Sequence, residues 1–86
     1  MTYLRTTPNI ENLRKNFEAV WPEMIAREKI EYYTGGLYTA ATMASYDNRG
    51  CGVPNRLRNG RKVVYQKKEL IDWIIARMEA VNANQQ

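Results

Sequence analysis

The chain has 86 residues, 44% of them apolar and 26% charged, with a formal net charge of +4, one cysteine and no histidine. That describes one small domain near the lower size limit for a single core, and its apolar content argues against general disorder. A lone Cys51 excludes an intramolecular disulfide, and the lack of histidine argues against a structural zinc site and a histidine general base.

In chain order, Thr7-Pro8 reads as a helix start, with Thr7 as N-cap and Pro8 at the first helical position. Ile10, Leu13, Phe17 and Val20 follow at helical spacing, with Glu11, Arg14, Lys15 and Glu18 on the wet side. This N-terminal helix (8–21) ends at Trp21-Pro22, because proline disfavours helix for the residue before it. A second helical segment runs to about Tyr33, burying Ala26, Ile30 and Tyr33. Its start is open: Pro22 is one choice, and a short extended lead-in at Met24-Ile25 is the other. Thr34-Gly35-Gly36 stops it, and Thr39 caps a third helix through about Arg49, closed by Gly50. Two short helices joined by a glycine-containing turn describe a helix-turn-helix over 22–50.

Asn59-Gly60 signals a two-residue hairpin turn within 55–66. With those two residues as the turn, Arg58 faces Arg61, Leu57 faces Lys62 and Arg56 faces Val63. A last helix covers 67–81, with Leu70, Ile71, Ile74, Met78 and Val81 on its core face. Trp21 and Trp73 are expected to pack rather than contact a ligand. The polar end 82–86 reads as a frayed tail.

The charge is uneven. Between Asn48 and Lys68 stand seven basic residues and no acidic one, while the remaining six basic and nine acidic residues leave −3. A local +7 on a hairpin-like segment suggests a surface for a polyanion, with double-stranded DNA as the leading candidate. The bland alternative is an edge strand kept from aggregating by its charges, which needs only one or two lysines.

On the third helix, Thr39, Met43 and Tyr46 form the natural core line. The opposite side carries Ala41, Thr42, Ala44, Ser45, Asn48 and Arg49, small or hydrogen-bonding residues suited to a major groove. Tyr46 could also reach a phosphate from the edge of that face. The candidate DNA-binding set is Ala41, Thr42, Ser45, Tyr46, Asn48, Arg49, Arg56, Arg58, Asn59, Arg61, Lys62, Lys67 and Lys68. Helix, helix-turn-helix, basic hairpin, helix is the plan of a winged helix-turn-helix. The expected fold is therefore mainly α with a small β-hairpin, as one domain spanning 1–86.

The stretch from Tyr33 to Arg77 resembles the MerR-like winged-helix proteins of phages and mobile elements, the excisionase and AlpA-like group. The matching pieces are Thr34-Gly35-Gly36, Thr42-Met43-Ala44, Asp47 with Gly50 and Gly52, Gly60-Arg61-Lys62-Val63-Val64-Tyr65, and Glu69-Leu70 followed by Trp73. Pro54 and Asn59 depart from the pattern. The former stands one place later than expected after the glycine pair, and the latter occupies a usually apolar wing position.

The resemblance implies a recombination directionality factor that binds attachment-site DNA beside a tyrosine recombinase (integrase). A recognition helix would enter the major groove and a wing the adjacent minor groove, with units cooperating on DNA although free molecules are monomeric. The alternatives are an AlpA-like transcriptional regulator and the DNA-recognition subunit of a phage packaging complex.

No catalytic activity, cofactor or metal is expected, since no phosphate loop or metal-ligand spacing occurs. No apolar run approaches ~18 residues and Met1 to Pro8 lacks a signal-type core, so no membrane role and a cytoplasmic, nucleoid-associated setting are expected.

Overall fold

The computed structural model describes residues 9–79 of the chain. Helix α1 spans Ile10–Val20, and its cap is Asn9, whose side chain accepts from the Asn12 amide at 3.1 Å. The helix therefore starts two residues later than the Thr7-Pro8 reading, and those two positions lie outside the described residues. Asparagine caps as well as threonine does, which leaves both positions open to a reading from sequence. The end is as expected: Trp21 adopts φ −78°, ψ 147° ahead of Pro22.

The next element is a strand, β1, at Met24–Ala26. The extended lead-in is thus the alternative realised, and helix begins only with a 3₁₀ turn at Arg27–Lys29 that continues into α2 at Ile30–Tyr33. The strand exists because Ile25, 1% exposed, pairs with the fully buried Tyr65 of a later strand. That long-range partner leaves no local signal. Of the three residues expected to be buried by the second segment, only Ile30 is; Ala26 and Tyr33 are half-buried.

Helix α3 covers Ala40–Asn48, and its Thr39 cap accepts from the Thr42 amide at 3.2 Å. A loop then leads to β2 at Leu57–Asn59 and β3 at Lys62–Gln66, which runs directly into α4 at Lys67–Ala76. The three strands form one antiparallel sheet in the order β1-β3-β2.

The hairpin turn lies one residue further along than the sequence expectation, which shifts each cross-strand pairing by two residues. Leu57 pairs with Val64, Arg58 with Val63 and Asn59 with Lys62, so the turn residues are Gly60 and Arg61. Gly60 has φ +67° and is the only one of the two with positive φ. Positive φ at the first central position alone is the II′ pattern, which takes glycine there and any residue next. Arg58 and Arg61 therefore do not face each other.

The last helix is also shorter than expected. It stops at Ala76 with Arg77 as its cap, and Met78 packs against the core from beyond the helix. Val81 and the 82–86 tail lie outside the described residues.

One core unites the elements. Trp21, Ile25, Ile30, Met43, Val53 and Tyr65 meet Leu70, Ile71, Trp73, Ile74 and Ile75 of α4. Helix α1 has no fully buried residue and docks on this core through half-buried Ile10, Leu13 and Phe17. The Phe17 ring stacks on Trp21 at 4.1 Å. Arg14 donates to Asp72 of α4 at 2.6 Å, and Lys67 Nζ donates to the Glu18 and Trp21 carbonyls at 2.9 and 3.2 Å. The lysine thus satisfies carbonyls that the end of α1 would otherwise leave open. Among the described residues no helix is long and apolar enough to cross a membrane.

Candidate nucleic-acid interface

A buried charge fixes α3 against the sheet. Met43 and Asp47, one turn apart, are the two buried residues of α3, and the Asp47 side chain is only 2% exposed. Its Oδ2 accepts from Arg27 Nη2 at 2.7 Å and from the Tyr65 hydroxyl at 2.6 Å. Arg27 Nε donates in turn to the Tyr65 oxygen at 3.1 Å, closing a triangle across the 3₁₀ turn, α3 and β3. Arg56 adds a fourth corner, with Nε 3.7 Å from Asp47 Oδ2 and Nη1 donating to the Val53 carbonyl at 3.0 Å.

Burial drives the Tyr65 hydroxyl up to about 12, and its hydrogen bond to Asp47 adds to the rise. Burial works against the Arg27 charge, but bonds to Tyr65 and Asp47 outweigh it and its pKa is raised. Asp47 Oδ1 is buried without a hydrogen-bond partner among the described residues. It is packed against Gly52, where an added Cβ would sit 1.8 Å from that oxygen and 2.8 Å from the Asp47 Cα. Only glycine fits there.

The outer side of α3 is left clear. Ala41, Thr42, Ser45, Asn48 and Arg49 are exposed and Ala44 is half-buried, matching the expected face. The Thr42 hydroxyl accepts a bond from that of Thr39 at 3.0 Å. Tyr46 turns inward, as its place on the core line predicts, with its ring 5.2 Å from Trp73 and 6.5 Å from Tyr38. Arg49 and Arg77 lie over that ring at 5.0 and 4.3 Å, in cation–π range. Trp73 is core, as expected, and its indole N–H donates to the Cys51 carbonyl at 3.1 Å.

The seven basic residues of the Asn48-to-Lys68 stretch separate into two groups. Arg56 is tied to Asp47 and Val53, Lys62 to Glu28, Lys67 to the end of α1, and Lys68 to Asp72 at 2.9 Å. Arg49, Arg58 and Arg61 make no ion pair among the described residues, although Arg49 Nε donates to the Ser45 carbonyl at 3.3 Å. Asn59 is exposed and held in the ladder opposite Lys62.

A groove of about 140 Å³ joins the hairpin turn to the start of α3, and its lining includes Ala26, Ala40 and Val63 with the charged Glu28, Arg61 and Lys62. Comparison with family models, curated proteins and solved structures returned no match. The reading of this surface rests on its own chemistry.

The residues that sequence reasoning missed are Arg27, Asp47 and Tyr65 as one network, and Glu28 as the partner of Lys62. For Asp47 a signal existed: it lies four residues after Met43, on the same side of α3, so an acid on the core line demanded a buried cation. Nothing local marks Glu28, which meets Lys62 from 34 residues away.

Proposed function

We propose that the protein binds double-stranded DNA as a winged helix-turn-helix, with α3 as the recognition helix and the β2–β3 hairpin as the wing. The reading is supported above all by the placement of Arg61 and Ala40 on one groove, which joins the turn of the basic hairpin to the N-terminal end of the open α3 face. Small side chains on that face let a helix approach the groove floor, and Thr42, Ser45 and Asn48 supply hydrogen-bonding groups for base edges or phosphates. Arg58 and Arg61, without carboxylate partners among the described residues, suit phosphates or a narrow minor groove. The Asp47 network holds the two parts in a fixed relation, as two-groove recognition requires.

The biological role we infer is that of an excisionase-like factor acting on attachment-site DNA with an integrase. A footprint on the DNA flanking the coding region tests it, with and without the neighbouring integrase. Protection over direct repeats, extended when the recombinase is added, is the expected result. Protection confined to a palindromic promoter site would instead favour a transcriptional regulator.

A further inference from the structure

Glu28 stands where an anion from outside would be expected. It lies in the 3₁₀ turn, exposed, and both its oxygens accept from Lys62 Nζ at 2.9 Å. Among the described residues it is the only acidic one lining the groove between the hairpin and α3. The other charges there favour an anion. Arg61, in the hairpin turn, has no ion-pair partner among the described residues. Ala40 and Ala41 open α3, so their amides have no intrahelical acceptor and sit at the positive end of the helix dipole. The Arg27 guanidinium also lines the groove but is committed to Asp47 and Tyr65.

We propose that this groove is a phosphate site of the DNA backbone, and that the Glu28 carboxylate occupies it in the free protein as an internal competitor for Lys62. The proposal rests on the DNA-binding reading. In the free protein Lys62 donates to a carboxylate with the same acceptor chemistry as a phosphodiester. On DNA, Lys62 exchanges Glu28 for a phosphate, and the displaced carboxylate is left close to the backbone. Every sequence bears that cost equally, so Glu28 weakens nonspecific binding and leaves base readout by α3 to decide residence. The hydrogen bond from Lys62 holds the Glu28 carboxyl below the usual carboxylate range, in keeping with a fully charged competitor at neutral pH.

The test is the affinity of the full chain for a labelled duplex of unrelated sequence across a salt series. It compares wild type, Glu28→Gln, Lys62→Gln and the double variant. Lys62 meets the phosphate in both forms, but in wild type the displaced carboxylate opposes that phosphate, so Glu28→Gln should steepen the log-log salt slope by up to about 0.9 and tighten binding about five-fold near 0.15 M salt. In the Lys62→Gln background the same change should not tighten binding. Thermal unfolding midpoints of Glu28→Gln and wild type should coincide, since the exposed pair contributes little to folding.

An equal gain in both backgrounds would show Glu28 acting through the general field, and would overturn the proposal. Unchanged binding by Glu28→Gln, with wild type still binding in a salt-dependent way, would overturn it while leaving the DNA reading intact. Binding by neither would remove both.

Discussion

A carboxylate taken out of water costs several kcal/mol unless its partners are complete, and removing one partner of a buried pair typically costs about 3–5 kcal/mol. Asp47 is such a group, and its three side-chain partners come from the 3₁₀ turn, the loop before β2 and strand β3. Tyr65→Phe deletes the 2.6 Å bond to Asp47 together with the 3.1 Å bond from Arg27, and leaves the packing in place. A hydrogen bond to a charged group is worth roughly 1.5–3 kcal/mol, so urea unfolding at neutral pH should show a loss of that order.

The same residue makes a pH prediction. The Tyr65 hydroxyl titrates at about 12 in the folded protein against an ordinary value of 10.0. Between those values the folded state holds the extra proton, so stability declines as pH rises through the window. Its contribution is complete below pH 10.0 and gone above about 12. Wild type should therefore lose more stability than Tyr65→Phe when both are unfolded on either side of that window. Parallel losses would mean that the hydroxyl is not held as described.

At the scale of elements, the hairpin and α4 use their basic residues for different purposes. Arg58 and Arg61 are exposed and make no ion pair among the described residues, whereas Lys67 satisfies the last carbonyls of α1. Arg58→Ala and Arg61→Ala should each lower the magnitude of the DNA salt slope by about 0.9 with little change in unfolding midpoint. Lys67→Ala should do the reverse, lowering stability by about 1 kcal/mol for the lost carbonyl contacts with the slope unaltered. Measuring both quantities on the three variants separates the roles.

The elements also show where the sequence was readable. Thr39 as a cap, Pro22 as a stop and the apolar stripe of Leu70, Ile71 and Ile74 are local rules, and all three hold. The hairpin was found but its register was not, because Asn59-Gly60 satisfies a type I′ turn while Gly60-Arg61 satisfies type II′. Tyr65 turns inward against Ile25 of β1 in either register, because a shift of two residues keeps every side chain on its face, so alternation does not separate the two turns. Strand β1 itself owes its existence to that distant pairing. The ties that remove Lys62 and Lys67 from the free set are tertiary, and that of Lys68 runs to Asp72 one turn on in α4. Counting charges in the sequence therefore overestimated the available surface.

For the molecule as a whole, the excess of charge in the Asn48-to-Lys68 stretch resolves into a smaller working set. The stretch carries seven basic residues. The structure leaves Arg49, Arg58 and Arg61 free of ion pairs among the described residues, with Lys62 available once Glu28 yields. Three to four contacts correspond to a log-log salt slope of about −3 to −4 for duplex DNA. The decisive measurement is the dissociation constant of the full chain for double-stranded DNA as a function of salt. A linear plot with a slope of about −3 to −4 is the result predicted; a slope near zero, or no binding at low salt, would contradict it.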